Sequence, residues 1–385
     1  MLRCASVFTR EIDDLETALA EVKSQLDNKI SLLKNSVGII MCHPEFIATG
    51  VTKYIGENLP FDIVGITTAS QAVNDDVDEH VLTIFVMTSD DAWFKTGITE
   101  GLYDEIDTPV QIAYSKVSEG EPEPPKLALI FPPFLLERYA GDAYVHAWKK
   151  IIPETPFFGT IAIDDTLTFK ECETIYNGEH KHDAMPFVLC YGNIDPHFYI
   201  VTLPANETIS FRAEVTKSKD NIVYEIDGIN AREFFIQSEI PEIMLTVPFM
   251  IDLKKRTDYD GIPVISGSTA YTEDGAAVFS CHVEEGSTFS LANFTIDDVL
   301  STSQHGIEMI TKLKDVSGAL LFPCVIRRMP LMRIGKPLAE LQIAKETLKV
   351  PFMMGYSGGE ICPTSVKGGV PANRFHNYSI IILVL

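Results

Sequence analysis

Basic residues, tryptophan and long apolar runs are what this chain has least of. Its 31 lysines and arginines face 54 aspartates and glutamates, a formal net charge of −23. That balance repels phosphate backbones and anionic headgroups, so neither nucleic acid nor a membrane surface is an expected partner. No apolar stretch approaches the ~20 residues of a membrane-crossing helix. Acidic residues arrive by Glu11, which excludes a secretory h-region after Met1. A Cys-x-x-Cys pair is also missing. The seven cysteines (Cys4, Cys42, Cys172, Cys190, Cys281, Cys324 and Cys362) are odd in number and scattered, a pattern of reduced thiols in a cytoplasm. The Walker Lys-Ser/Thr, the dinucleotide fingerprint and the Gly-x-Ser-x-Gly elbow are absent too. Nucleotide binding therefore has no support, and no cofactor is expected. Nor does the chain contain a recognisable kinase, cyclase or coiled-coil output segment, so any signal it generates is read by another chain.

What is present is an ordinary globular composition: 385 residues, 46% hydrophobic and 22% charged. That length accommodates two domains, each with its own core, placed here at 1–205 and 206–385. One local grammar recurs three times. Pro60-Phe61 leads to Gly65-Ile66-Thr67-Thr68, Pro156-Phe157-Phe158 to Gly159-Thr160, and Pro351-Phe352 to Gly355-Tyr356-Ser357-Gly358-Gly359-Glu360. Each is a short buried strand that runs into a polar turn. Helical segments at 46–58, 135–151 and 338–348 precede the three strands, and apolar runs at 36–41, 127–131 and 318–322 precede the helices. Three right-handed βαβ units follow from that order. The expected fold class is α/β, with two domains of mixed, partly parallel β-sheets flanked by helices.

Around these units the periodicity predicts an amphipathic helix over 9–28 with Thr9 as N-cap. A strand is expected at 81–88, and an ambiguous segment at 92–103 has some helical character. The Pro- and Glu-rich stretch 116–126 is a surface loop. Strands at 167–176 and 187–192 join around Asn177-Gly178. A polar boundary at 204–208 precedes a hairpin over 209–226, a helix at 231–238 and strands at 244–251, 264–266, 276–282 and 288–292. Thr295 and Asp298 have capping-box spacing before a helix that ends near 313. The apolar run 378–385 is a buried strand.

In parallel α/β units, ligands bind where strands end at their carboxyl side, because loop amides and helix N-termini converge there. That rule selects His43, Thr67, Thr68, Asp164, Asp165, Cys324, Arg327, Tyr356, Ser357 and Glu360. Thr67 and Thr68 are ligand contacts or turn caps, and Asp164 and Asp165 are ligand contacts or acceptors for loop amides. Arg327 opposite Glu360 suits a zwitterion such as an amino acid, or else forms an internal ion pair. Cys324 acts as a nucleophile only if a histidine such as His43 or His376 stands beside it; otherwise it is a buried thiol. His180-Lys181-His182-Asp183 has alternate spacing for a metal, but a solvated hairpin tip explains it equally, and no metal is assigned.

Several of these residues resemble a known family. The stretch from Gly318 through Pro323-Cys324 to Arg327, the stretch from Pro351-Phe352 to Glu360-Ile361, and His376-Asn377-Tyr378-Ser379 before an apolar end look like the C-terminal domain of FIST sensory proteins. Val64-Gly65-Ile66-Thr67-Thr68, Phe158-Gly159, Asp164-Asp165 and Asn177-Gly178 are similar to that family's N-terminal domain. Asp227-Gly228-Ile229-Asn230-Ala231 resembles the start of the C-terminal one. The resemblance implies an intracellular, cytoplasmic input domain that binds a small polar ligand, such as an amino acid or carboxylate. It also implies a separate partner, such as a kinase or chemoreceptor component, and adds Asn377 to the ligand-facing set. Gly358 stands where an aromatic residue is frequent and Ser379 where threonine is usual, so the ligand class is open. The alternative is hydrolase or transferase chemistry by Cys324 or the Asp164/Asp165 pair in an inter-domain cleft.

Overall fold

The computed structural model describes residues 1–166, 169–203, 206–207, 212–240, 249–252, 264–364 and 372–385. All three βαβ units are present, each with its two strands parallel. In the first, β1 (Asn35–Cys42) pairs with β2 (Asp62–Thr67) across the short helix Glu45–Ala48 and α1 (Val51–Asn58). In the second, β3 (Leu127–Ile130) pairs with β4 (Phe157–Thr160) across α2 (Asp142–Ile151). The third follows α3 (Ile296–Thr311) and pairs β5 (Ala319–Pro323) with β6 (Phe352–Gly355) across α4 (Ala339–Thr347).

Each unit lies in its own six-stranded sheet, and each sheet is covered on both faces, which is why these strands carry apolar runs instead of clean alternation. The alternation of side chains assigns the faces. Val37, Ile39 and Met41 of β1, Leu127 and Leu129 of β3, and Leu320 and Phe322 of β5 all enter one shared core. The intervening residues face helices. Ile40 and Cys42 pack beneath α1, Ala128 and Ile130 beneath α2, and Ala319 and Leu321 beside apolar residues of α3 and α4. Three sheets thus surround one common centre, with helices outside.

The sheets are not segregated by position in the chain. In the second sheet, β7 (Glu360–Thr364) adds antiparallel to β4, with Glu360 opposite Thr160, and carries β8 (Ala372–His376) on its other edge. The third sheet takes in Gln71–Val73 beside β6 and His197–Thr202 beside β9 (Ser379–Val384). β9 is interior, bonded to β5 on one side and to His197–Thr202 on the other. A nine-stranded sheet of short hairpins, including Ala213–Lys219, Ile222–Ile226 and Thr288–Asn293, completes the described part.

Local expectations differ in a few places. The first helix is Leu15–Lys29 with Asp14 as N-cap, because residues 3–9 form a strand that pairs with Leu82–Ser89. Thr9 ends that strand, and its hydroxyl accepts from the Glu11 amide at 3.0 Å. The ambiguous segment is the strand Ala92–Thr99, paired with Met185–Gly192, and a helix follows at Asp107–Val117, whose early Pro109 is tolerated in a first turn. The helix expected over 135–151 begins only at Asp142. The capping box is present: Asp298 N donates to Thr295 Oγ1 at 3.1 Å, and Thr295 N to Asp298 Oδ2 at 2.7 Å. The expected boundary at 204–208 lies outside the described residues except for Asn206–Glu207, as do 167–168, 209–211 and 244–248 of the expected strands. Among the described residues no helix is long and apolar enough to cross a membrane.

Gly65 and Gly159 occupy matching places in the first two units. A Cβ at either would stand 1.7 Å from the carbonyl oxygen of Ile40 or Ile130 on the adjacent parallel strand. We expect Gly65→Ala and Gly159→Ala each to destabilise by about 3 kcal/mol or more, since backbone rather than a flexible side chain must give way. Gly120→Ala, with open space around it but a left-handed φ of 84°, is the reference for backbone strain without a clash and should cost only about 1 kcal/mol. Urea unfolding followed by circular dichroism checks this, and Gly65 or Gly159 variants with midpoints like that of Gly120→Ala would contradict it.

Candidate functional site

The three strand-end turns meet one another. Thr68 Oγ1 donates to Tyr356 O at 2.7 Å, Ile163 N to Thr67 O at 3.2 Å, and Gly358 N to Ile161 O at 3.0 Å, with Ile161 N returning to Gly359 O. Each turn therefore supplies the partner another turn needs. Thr67, Thr68, Asp164 and Tyr356 are fully buried in this junction. Thr67 Oγ1 accepts from Glu173 N at 2.9 Å. Asp164 closes its own loop, Oδ1 accepting from Thr166 N and Oδ2 from Glu171 N, both at 2.9 Å. These four groups act on the protein's own backbone. Asp165 turns outward instead, its Oδ2 3.4 Å from His43 Nε2.

Beside the junction lies a narrow pocket of about 30 Å³, room for about one water molecule in this arrangement of its walls. Phe134 and Phe169, their rings tilted by 33° with centroids 4.7 Å apart, form one wall, and Cys324, Gly358, Asn377 and Tyr378 form another, with Ser280 from the hairpin sheet at the side. Asn377 is only 8% exposed, and its Nδ2 has no hydrogen-bond partner. Tyr378 holds a left-handed backbone, φ 58°, to turn the chain from β8 into β9. No charged side chain lines the pocket among the described residues. Phe134, Phe169, Ser280 and Tyr378 were absent from the expected set, since the strand-end rule passes over loop aromatics and the hairpin sheet.

The expected Arg327–Glu360 partnership does not form. Tyr356 and Ser357 face opposite ways after β6, and the two ionic residues sort with them. Arg327 is fully buried, and its Nε donates to Glu340 Oε1 of α4 at 2.7 Å. Its Nη2 reaches Val299 O, Thr302 Oγ1 and Ser303 Oγ of α3. Ser303 also donates to Glu340, and burial followed by that carboxylate pushes the Tyr356 phenol well up. Arg327 is thus spent inside the protein.

Glu360 is enclosed on the other side. Its Oε1 accepts from Ser357 Oγ at 2.9 Å and its Oε2 from Ser379 Oγ at 2.8 Å, with the Cys324 thiol alongside. Burial raises its pKa from an ordinary 4.5 to about 8, against the opposing pull of these hydrogen bonds, so the carboxyl carries a proton at neutral pH. Cys324 is pushed well up by its own burial and then by Glu360. The two histidines it would need have other partners: His43 faces Glu45 and Asp165, and His376 Nε2 meets Cys362 O at 3.1 Å. An activated thiolate is not built here.

Two measurements test this arrangement. Arg327→Ala or Glu340→Gln should each cost about 3–5 kcal/mol in chemical denaturation, because one buried charge loses its partner. The double variant should fall well short of the sum, and full additivity would contradict the pairing. Glu360 should make stability depend on pH. Between its unfolded value near 4.5 and its folded value of about 8, the unfolded chain ionises while the folded chain keeps the proton, so this group's stabilising contribution is complete below pH 4.5 and lost by about 8. The stability of the protein relative to Glu360→Gln should therefore fall over that window and level off above it. A flat difference would show that Glu360 ionises normally.

A family model for the FIST N domain matches residues 36–229, and one for the FIST C domain matches residues 232–363. No curated protein matches the chain. The matched span holds all three parallel units and their meeting turns, and the motif residues Thr68, Gly159, Cys324 and Glu360 occupy the junction and its immediate surroundings. This chain belongs to the FIST family of sensory signal-transduction domains.

Proposed function

We propose that this protein is an intracellular, cytoplasmic sensor that binds a small polar molecule in the pocket beside the strand-end junction and signals through a separate protein, such as a kinase or chemoreceptor component. The observation that carries the reading is the unpaired, buried Asn377 Nδ2 on the wall of an otherwise largely apolar pocket. A buried amide donor without a partner costs free energy that an acceptor on a ligand recovers. Few polar groups on apolar walls is also the usual make-up of a small-molecule site. Amino acids and small carboxylates remain the class to test first. With Arg327 engaged by Glu340, the ligand's acceptor meets Asn377, and the neutral Glu360 behind Cys324 does not repel a carboxylate.

The pocket joins loop residues Phe134 and Phe169 to Cys324 and Asn377, which are distant in sequence, so a ligand larger than a water that touches both walls favours an arrangement in which those loops stand further apart. The shared ladders that tie the two halves together support a response in the loops and the hairpin sheet over a hinge between the halves.

A thermal-shift screen of amino acids and small carboxylates tests this. A ligand at ~100 times its dissociation constant stabilises by about 2.7 kcal/mol. At least one hit is expected. It should be lost in Asn377→Leu and in Thr269→Trp, which crowds the pocket from its half-buried rim, and kept in Asp165→Asn. Silence across the whole screen, or hits indifferent to both pocket variants, would remove the assignment.

A further inference from the structure

The outward-facing cluster at the end of β1 has no role in the pocket. His43 follows Cys42, Glu45 opens the short helix Glu45–Ala48, and His80 precedes Val81, whose carbonyl receives the His43 amide at 3.4 Å. The strand end and the entry to the neighbouring strand Leu82–Ser89 are thereby held side by side. One ligand atom from each of His43, Glu45 and His80 lies within 4.8 Å of the other two. Glu45 Oε2 is central, 3.8 Å from His43 Nδ1 and 3.9 Å from His80 Nε2. The two imidazoles lie 4.3 Å apart at 38°.

Two further features fit an ion. His43 is 5% exposed, so its ring is fixed, whereas Glu45 and His80 have side chains 59% and 55% exposed and are free to swing inward. Without an ion His43 Nδ1 accepts from the Glu45 amide at 3.3 Å, which leaves the ring proton on Nε2; an ion takes over that lone pair, and the amide, at the start of the short helix, turns to water. That Nε2 has no hydrogen bond of good geometry, yet stands 3.4 Å from Asp165 Oδ2. A carboxylate behind the non-ligating nitrogen of a histidine is the usual outer arrangement of a metal-bound imidazole.

We propose that His43 Nδ1, Glu45 Oε2 and His80 Nε2 bind one first-row divalent transition ion, with Asp165 orienting His43. Ligand bonds of about 2.0–2.2 Å to zinc put donors roughly 3.4 Å apart, so the observed spacings need only a small inward turn of Glu45 and His80. Two imidazoles and a carboxylate suit zinc and its neighbours better than magnesium or calcium, and three protein ligands leave a coordination position open. Asp165 then has a positioning role that differs from that of Asp164 beside it.

The test is calorimetric titration of the metal-free full chain with Zn2+, together with the visible absorption of the Co2+ form. One ion per chain is expected, with Mg2+ giving no saturable heat at the same concentration. His80→Ala and Glu45→Gln, both at exposed positions, should weaken Zn2+ binding at least tenfold and abolish the Co2+ bands while leaving the metal-free melting curve unchanged. Asp165→Asn should weaken binding about 10–100-fold at unchanged stoichiometry. The proposal is overturned if no saturable site is found, or if binding survives His80→Ala and Glu45→Gln and is lost instead on replacing His180 and His182, which both contact Glu173.

Discussion

The structure depends on one closed circuit of hydrogen bonds, in which the turn after β2 bonds the turn after β6, that turn bonds the one after β4, and the last returns to the first. Buried backbone groups must find partners. In an isolated parallel unit the amides beyond the strand end are the ones left for a ligand. Here three units meet end to end and satisfy one another, so the place where a single unit would hold a ligand is filled by protein. The space left over lies to one side, against Phe134, Phe169 and the hairpin sheet, where the circuit stops and the Asn377 Nδ2 donor has no partner.

The same crowding decides the ionic chemistry. Tyr356 and Ser357 are neighbours that face opposite ways, so Arg327 and Glu360, equally buried, live in separate compartments. Arg327 is enclosed by Glu340, Thr302, Ser303 and a carbonyl of α3. Glu360 has hydroxyls and a thiol for company but no cation, and takes a proton instead. One solution is a paired charge and the other a neutralised one, which are the two ways a buried ionisable group avoids the cost of standing alone.

Much of this architecture was legible in the sequence. The three units declared themselves because each is local: an apolar run, a helix, and a second run that ends at a glycine. The Thr295–Asp298 box was readable for the same reason. Thr9 was misread as a cap because the short strand before it left a weak signal beside the helical period that follows. Other features have no local signature. Nothing near Glu360 announces that its strand will lie along β4, and nothing near Arg327 marks Glu340, a charged residue on an apparently ordinary crossover helix, as fully buried. Chain position points to the strand-end turns that meet at the junction, but does not tell a turn that waits for a ligand from one that another turn completes. The His43 cluster escaped notice because His80 reaches it only through the pairing of the strand that follows.

The interior place of β9 sets the order in which this protein can be made. His197–Thr202 and β5 both need that strand as a neighbour, and it consists of residues 379–384. During synthesis, residues 197–202 therefore leave the ribosome with an unpaired edge, and the third sheet cannot close until residues 379–384 have emerged. Ladders of such long sequence separation are slow to form. A nascent chain of this kind exposes a strand edge for as long as the residues between 202 and 379 take to be translated, a period in which it is most in need of a chaperone.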